Sequence, residues 1–189
     1  MIGGRAGHLA GRFFSSLLPL PVSAADREWV ASVLQEGEFH LWSQLSLADR
    51  RESVAVARRT VSALADTEYA GDERWLAAAL LHDVGKLDSR FGPVRRALAT
   101  TASGVFGPRV VEGWVDKSGF VRRCALYLFH DQLGADRVKI AGGRKEAVLW
   151  AEAHHRPAIW DETGIPEVVI VALAAADGER TAGFLLSAP

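Results

Sequence analysis

Apolar side chains recur every three or four positions through most of this chain, and nowhere do they alternate over a stretch long enough for a convincing strand. Ser23-Ala-Ala-Asp26 has the form of a capping box and opens a helix that Gly37 is expected to interrupt. Ser46-Leu-Ala-Asp49 repeats that signature ahead of a helix reaching about Asp66, with Val54, Ala57, Val61 and Leu64 along one face. Asp72 is placed to cap a helix over residues 73–83, where Leu76, Ala79, Leu80 and Val84 give the apolar side. Gly85 is expected to stop it, since glycine tolerates the left-handed conformation of a helix C-terminus. Pro108 predicts the start of another helix, with Val111 and Trp114 on one side. Further helices are expected over 120–129, 136–141 and 144–155, broken by Gly119 and by Gly142-Gly143. Pro157 cannot continue the helix before it, and Pro166 suits the first turn of a last helix over 167–177. The valine-rich stretch 168–171 is ambiguous by itself, but its continuation into Ala-Leu-Ala-Ala-Ala favours helix. The pattern predicts an all-α, single-domain helical bundle. Residues 1–22 form a flexible N-terminal arm in this reading, 23–180 the helical domain and 181–189 a C-terminal tail.

Composition narrows the function classes. At 189 residues, with 49% hydrophobic and 24% charged, the chain has the make-up of one ordinary globular domain. Basic and acidic residues nearly cancel, 22 against 23, so no global charge points to nucleic acid or a membrane surface. Arg95-Arg96 and Arg122-Arg123 read as solvated helix faces. The single cysteine, Cys124, excludes an intrachain disulfide and a cysteine-based zinc site, and the apolar residues after it suggest a buried small side chain. Near the N-terminus Arg5 and Arg12 precede an apolar stretch that loosely resembles an export signal, but Ser15, Ser16, Pro19 and Pro21 interrupt it. A cytoplasmic protein is the expectation, and the longest later apolar run, 168–176, is too short to span a bilayer.

The chemistry concentrates at Leu80-Leu81-His82-Asp83-Val84-Gly85-Lys86. An apolar helix ends there by setting an imidazole beside a carboxylate, with a lysine just beyond. Imidazole and carboxylate are preferred ligands of borderline and hard divalent ions, and one carboxylate can bridge two of them. The lysine can act as a point charge for a phosphate. Of the six histidines, three more stand at the ends of apolar helices: His130, His154 and His155. Adjacent histidines on a helix point about 100° apart, so the pair can serve one site only near a helix end, where Pro157 puts it. Asp177 follows the wholly apolar 168–176, where an ionised carboxylate is costly unless paired or bound to metal.

His82-Asp83 with Val84-Gly85-Lys86 behind it, then His130, His154-His155 and Ala-Ala-Asp177, resembles the HD superfamily of metal-dependent phosphohydrolases, nearest its HD-GYP branch. The likeness runs from about Leu45 to Asp177. It implies an all-α core of the HD-domain type and hydrolysis of a phosphoester, on a nucleotide or another small phosphorylated metabolite. It also implies one or two divalent ions (Fe, Mn, Mg, Ni, Co or Zn) with Asp83 shared between them. His82 and Asp177 would serve one ion and His130, His154 and His155 the other, with Asp83 and Lys86 carrying the chemistry. Two departures stand out. Glu52 occupies the place of the family's first histidine, either as a substitute ligand or as the mark of a lost ion. The segment 156–166 lacks the Gly-Tyr-Pro element, which argues against a cyclic dinucleotide substrate. The alternatives on this scaffold are a catalytically impaired metal- or nucleotide-binding regulatory module and a di-iron oxygenase.

Overall fold

A computed structural model describes residues 21–89 and 113–178. It contains helices α1 (Ala24–Val33), α2 (Glu36–Ser43), α3 (Leu47–Leu64), α4 (Glu73–Leu81), α5 (Lys86–Ser89), α6 (Gly119–Leu128), α7 (His130–Ile140), α8 (Lys145–Ala153) and α9 (Glu167–Asp177), with a 3-10 helix at Pro157–Glu162 between the last two. There is no strand among the described residues, and the expected all-α bundle is what forms. The ambiguous valines of α9 are helical. The helix expected at Pro108, residues 1–20 of the arm and the tail lie outside the described residues.

The capping residues marked by the sequence are the ones used. Ser23 Oγ accepts from Asp26 N at 3.0 Å, Ser46 Oγ from Asp49 N at 3.2 Å and the Asp72 carboxylate from Arg74 N at 2.9 Å. Each satisfies an amide that has no partner in its own helix, a contribution of about 1 kcal/mol.

Helix α4 organises the rest. Trp75, Leu76, Ala77, Ala78, Ala79, Leu80 and Leu81 are all buried, so this helix is apolar on every side and must sit at the centre. Helices α1, α2, α3, α8 and α9 all pack on it. Truncating the fully buried Leu80 or Leu81 to Ala would cost about 2–5 kcal/mol. A second consequence is positional: the C-terminal end of α4 delivers His82 and Asp83 into the interior.

Two glycines act differently from the expectation. Gly85 is not among the residues of left-handed φ. Helix α4 already stops at Leu81, and Val84 N–Leu81 O (3.1 Å), Lys86 N–Asp83 O (3.0 Å) and Leu87 N–Val84 O (3.2 Å) carry the chain through a tightened turn into α5. Gly85 is required by contact: a Cβ there would stand 1.8 Å from His130 O and 2.7 Å from Gly134 N. That approach also explains why α7 starts at His130 rather than at 136, with Gly134 inside the helix against Gly85. The break foreseen at Gly37 falls instead at Leu34-Gln35, where Gln35 N donates to the Glu38 carboxylate at 2.9 Å. Gly37 lies within α2 because a Cβ would come 2.1 Å from Ala141 O. Cys124 is buried and its thiol pKa is raised by burial, as befits a core residue.

Candidate metal centre

Four chain segments end at one place. His82 caps α4 and Asp83 begins the turn after it. His130 is the first residue of α7, at the kink behind α6. His154 caps α8, with His155 next to it, and Asp177 closes α9. His82 and His154 are fully buried and His130 nearly so, whereas His155 is exposed and gives the cluster its face to solvent.

The three buried imidazoles are oriented by one device. Nδ1 of His82 meets Ala79 O at 2.9 Å, Nδ1 of His130 meets Tyr127 O at 2.7 Å and Nδ1 of His154 meets Ala151 O at 2.8 Å. A carbonyl can only accept, so each Nδ1 carries the proton and, in a neutral ring, each Nε2 presents a lone pair. Those lone pairs face Asp83. His130 Nε2 is 3.3 Å and His154 Nε2 3.8 Å from Asp83 Oδ1. His82 Nε2 is 3.4 Å from Asp83 Oδ2 and 3.4 Å from Asp177 Oδ1.

Nε2 of His82, His130 and His154, together with Asp83 Oδ1, are buried without a hydrogen-bond partner. Burying a polar atom unpaired costs about 1–3 kcal/mol, and here four cluster in one spot. Acceptors turned toward acceptors repel one another unless a cation lies between them. Ligands about 2.0–2.1 Å from a shared ion stand roughly 3.0–3.5 Å from one another, close to the spacing seen. One ligand atom each from Asp83, His130, His154 and His155 falls within 4.8 Å of all the others. This Asp/His group could hold a metal ion.

The electrostatics suit that use. Burial disfavours an ionised Asp83, but Lys86 and His82 outweigh it and hold the carboxyl well below its ordinary range. Asp177 is likewise kept low against burial, by His82. Burial opposes a charged His82, yet Asp83 and Asp177 raise its pKa well above the usual histidine value. Burial lowers His154, and His155, whose outer edge meets solvent, is lowered to about 3 by desolvation of the part packed against the cluster and by the neighbouring His154 and His130. Ionised carboxylates and neutral imidazoles are the protonation states that metal binding requires. Asp83, Asp177, His154 and His155 are shifted toward them, whereas His82 is shifted the other way and would have to release a proton to act as a ligand.

Six of the expected site residues therefore meet: His82, Asp83, His130, His154, His155 and Asp177. Lys86 joins them through an ion pair with Asp83 Oδ2. Glu52 is not brought into the four-residue group. Its carboxylate lies 3.1 Å from Arg59 Nη2, and Arg59 Nε donates to Ala176 O at 2.6 Å. Helical spacing puts Glu52 and Arg59 on one face, seven residues apart, and that was the only hint in the sequence.

Sequence reasoning also missed two supports. Trp160 is buried and its Nε1 donates to Ala153 O at 2.8 Å, pinning the end of α8 just before His154. Arg156 Nε lies 3.4 Å from Asp131 Oδ2, tying the His154-His155 turn to the residue after His130. A buried tryptophan and charged neighbours of the histidines were the signals. Among the described residues no helix is long and apolar enough to cross a membrane. No protein-family model, curated protein or solved structure matches the chain.

Proposed function

We propose that the chain is a metal-dependent phosphohydrolase acting on a small phosphoester, a nucleotide or another phosphorylated metabolite. One observation carries the reading: the Nε2 atoms of His82, His130 and His154 are aimed at Asp83, buried and unpartnered. Asp83, His130, His154 and His155 would hold a divalent ion, with His82 and Asp177 on the other side of Asp83. A bound ion would lower the pKa of a coordinated water to about 7 and draw charge from a phosphoryl oxygen.

The chain's own residues supply the rest. Lys86, already paired to Asp83, offers a cation to the phosphoryl oxygens, and such a preorganised charge is worth about a hundredfold to a thousandfold in turnover. The exposed edge at His155 admits substrate while the buried His82 and His154 exclude water behind it. The backbone carbonyls of Tyr127 and Ala151 fix the tautomers of His130 and His154, so that in the neutral rings Nε2 is the atom free to act as a ligand.

A regulatory binding module without turnover is the second reading, favoured by the pairing of Glu52 with Arg59. Elemental analysis of freshly purified chain, with a phosphoester panel assayed in Mn(II) and Fe(II), decides between them. Metal with turnover that Lys86→Ala reduces supports the hydrolase. Metal with no turnover on any phosphoester leaves the binding module.

A further inference from the structure

The two oxygens of Asp83 face different surroundings, and the difference bears on how many ions the centre takes. Oδ1 looks toward His130 and His154, at 3.3 and 3.8 Å, with His155 completing a group of four ligand atoms. The Oδ1, His130 and His154 atoms in that group have no hydrogen-bond partner. Oδ2 looks toward His82 and is paired with the Lys86 ammonium. On that side Asp177 stands beside His82, whose Nε2 is also without a hydrogen-bond partner, while Glu52 of α3 is paired with Arg59. Arg59 reaches across from α3 to bond Ala176 O at 2.6 Å, one residue from Asp177.

We propose that the chain binds one divalent ion, on the Oδ1 side, and that Lys86, paired with Oδ2, supplies the positive charge that a second ion would bring there. The inference rests on the reading of this cluster as a metal centre. Each oxygen of Asp83 then faces a cation, a metal on one side and the Lys86 ammonium on the other. A second ion on Oδ2 would have to displace Lys86 from its pair, and among the described residues the donors around it are His82, Asp83 and Asp177. On the other side Oδ1 and the Nε2 atoms of His130 and His154 need no such exchange.

The test is metal stoichiometry on the full chain, stripped with chelator and titrated with Mn(II) or anaerobic Fe(II). Calorimetry counts the ions, and the electron paramagnetic resonance of Mn(II) tells an isolated ion from a coupled pair. One ion per chain with an uncoupled Mn(II) spectrum is expected. His155→Ala and His130→Ala should abolish that binding, whereas Asp177→Asn should keep it. Lys86→Met should admit a second, weaker ion by freeing Oδ2. Two ions in the unsubstituted chain, binding lost in Asp177→Asn but kept in His155→Ala, or an unchanged count in Lys86→Met would each overturn the assignment. The unsubstituted chain gives its answer whether or not a variant folds. One ion without phosphoester turnover leaves this inference standing and removes the hydrolase reading. Two ions with turnover do the reverse, and no ion under either metal removes both.

Discussion

The protein buries two polar clusters, and they are finished in opposite ways. The Glu38 carboxylate is fully buried and accepts from Gln35 N at 2.9 Å, from Arg144 N at 2.7 Å and from the Arg144 guanidinium, whose Nη2 also donates to Val33 O at 3.0 Å. That cluster closes on itself, welding α2 to the start of α8 and the end of α1. Around Asp83, by contrast, four buried atoms have no partner. The protein can satisfy a buried charge when structure is the purpose. Around Asp83 it leaves buried polar atoms facing one another without partners. Their clustering singles the site out, since the other unpaired buried atoms among the described residues, Arg50 Nε and Trp75 Nε1, lie outside it and an equally buried charge in the same fold has its pairing arranged.

The sharpest way to break this comparison is to remove one partner from the closed cluster. Glu38→Ala takes from Arg144, only 14% exposed, its buried partner and leaves it Val33 O and the exposed Glu73 carboxylate at 3.2 Å, and should cost about 3 kcal/mol in chemical denaturation. Metal content should be unchanged in the fraction that folds. If Glu38→Ala lost metal while keeping stability, the two clusters would not be independent.

Of similar size is the linkage of the open cluster to its ligand. With metal at a hundred to a thousand times its dissociation constant, the folded state should gain about 2.7–4.1 kcal/mol, visible as a rise in Tm that chelator abolishes. Asp83→Ala should remove both the metal and that rise. In chelator its stability should fall, because the substitution leaves the Lys86 ammonium and the His82 ring without the carboxylate they share. A Tm in Asp83→Ala that still climbs with added metal would place the ion elsewhere.

How much of this was legible follows from the range of the interactions. The caps at Ser23, Ser46 and Asp72 act within three residues and were read directly. The site residues were legible because polar groups stood at the ends of apolar helices. Gly85 was misread, since a glycine kept for close approach to His130 O looks the same in sequence as one kept for a left-handed φ. The Glu38–Arg144 pair spans 106 positions and Arg59 to Ala176 spans 117, so neither could be found before the helices were packed. Glu52 shows the same limit of range. Its role turns on Arg59, whose own position is set by α9.

Within the open cluster two buried histidines should show opposite pH signatures in metal-free protein. Burial lowers His154, so its neutral form contributes stability that is present above the unfolded histidine pKa of about 6.5 and is lost as pH falls through the folded value. His82 is raised against burial by Asp83 and Asp177, so its contribution is present below about 6.5 and is lost as pH rises through the folded value. Urea melts in chelator should therefore show the gap between wild type and His154→Gln shrinking on acidification. The gap to His82→Gln should shrink on going alkaline. A tenfold difference in proton affinity between folded and unfolded chain corresponds to about 1.4 kcal/mol, which sets the scale of either trend. Parallel trends in the two variants would contradict the assigned surroundings.

The smallest effect expected concerns the tie between the two histidine-bearing segments. Arg156 joins Asp131 at 3.4 Å and also bonds Glu152 O at 2.8 Å, so it bridges the start of α7 and the end of α8. Its side chain is 33% exposed, and pairs of that kind contribute about 1 kcal/mol or less to global stability. Its leverage on the site is larger. His130 stands one residue before Asp131 and His155 one before Arg156, and their rings lie 5.1 Å apart, so a small separation of the segments moves one ligand away from the other. Outer groups that orient ligands typically govern about tenfold to a hundredfold in metal affinity. Arg156→Ala should fall near the lower end, about tenfold, because Trp160 still pins the end of α8 through Ala153 O. Calorimetric titration with Mn(II) beside a urea melt separates the two effects. An affinity loss much larger than the stability loss marks Arg156 as a residue that positions the ligands, and equal losses would make it an ordinary surface pair.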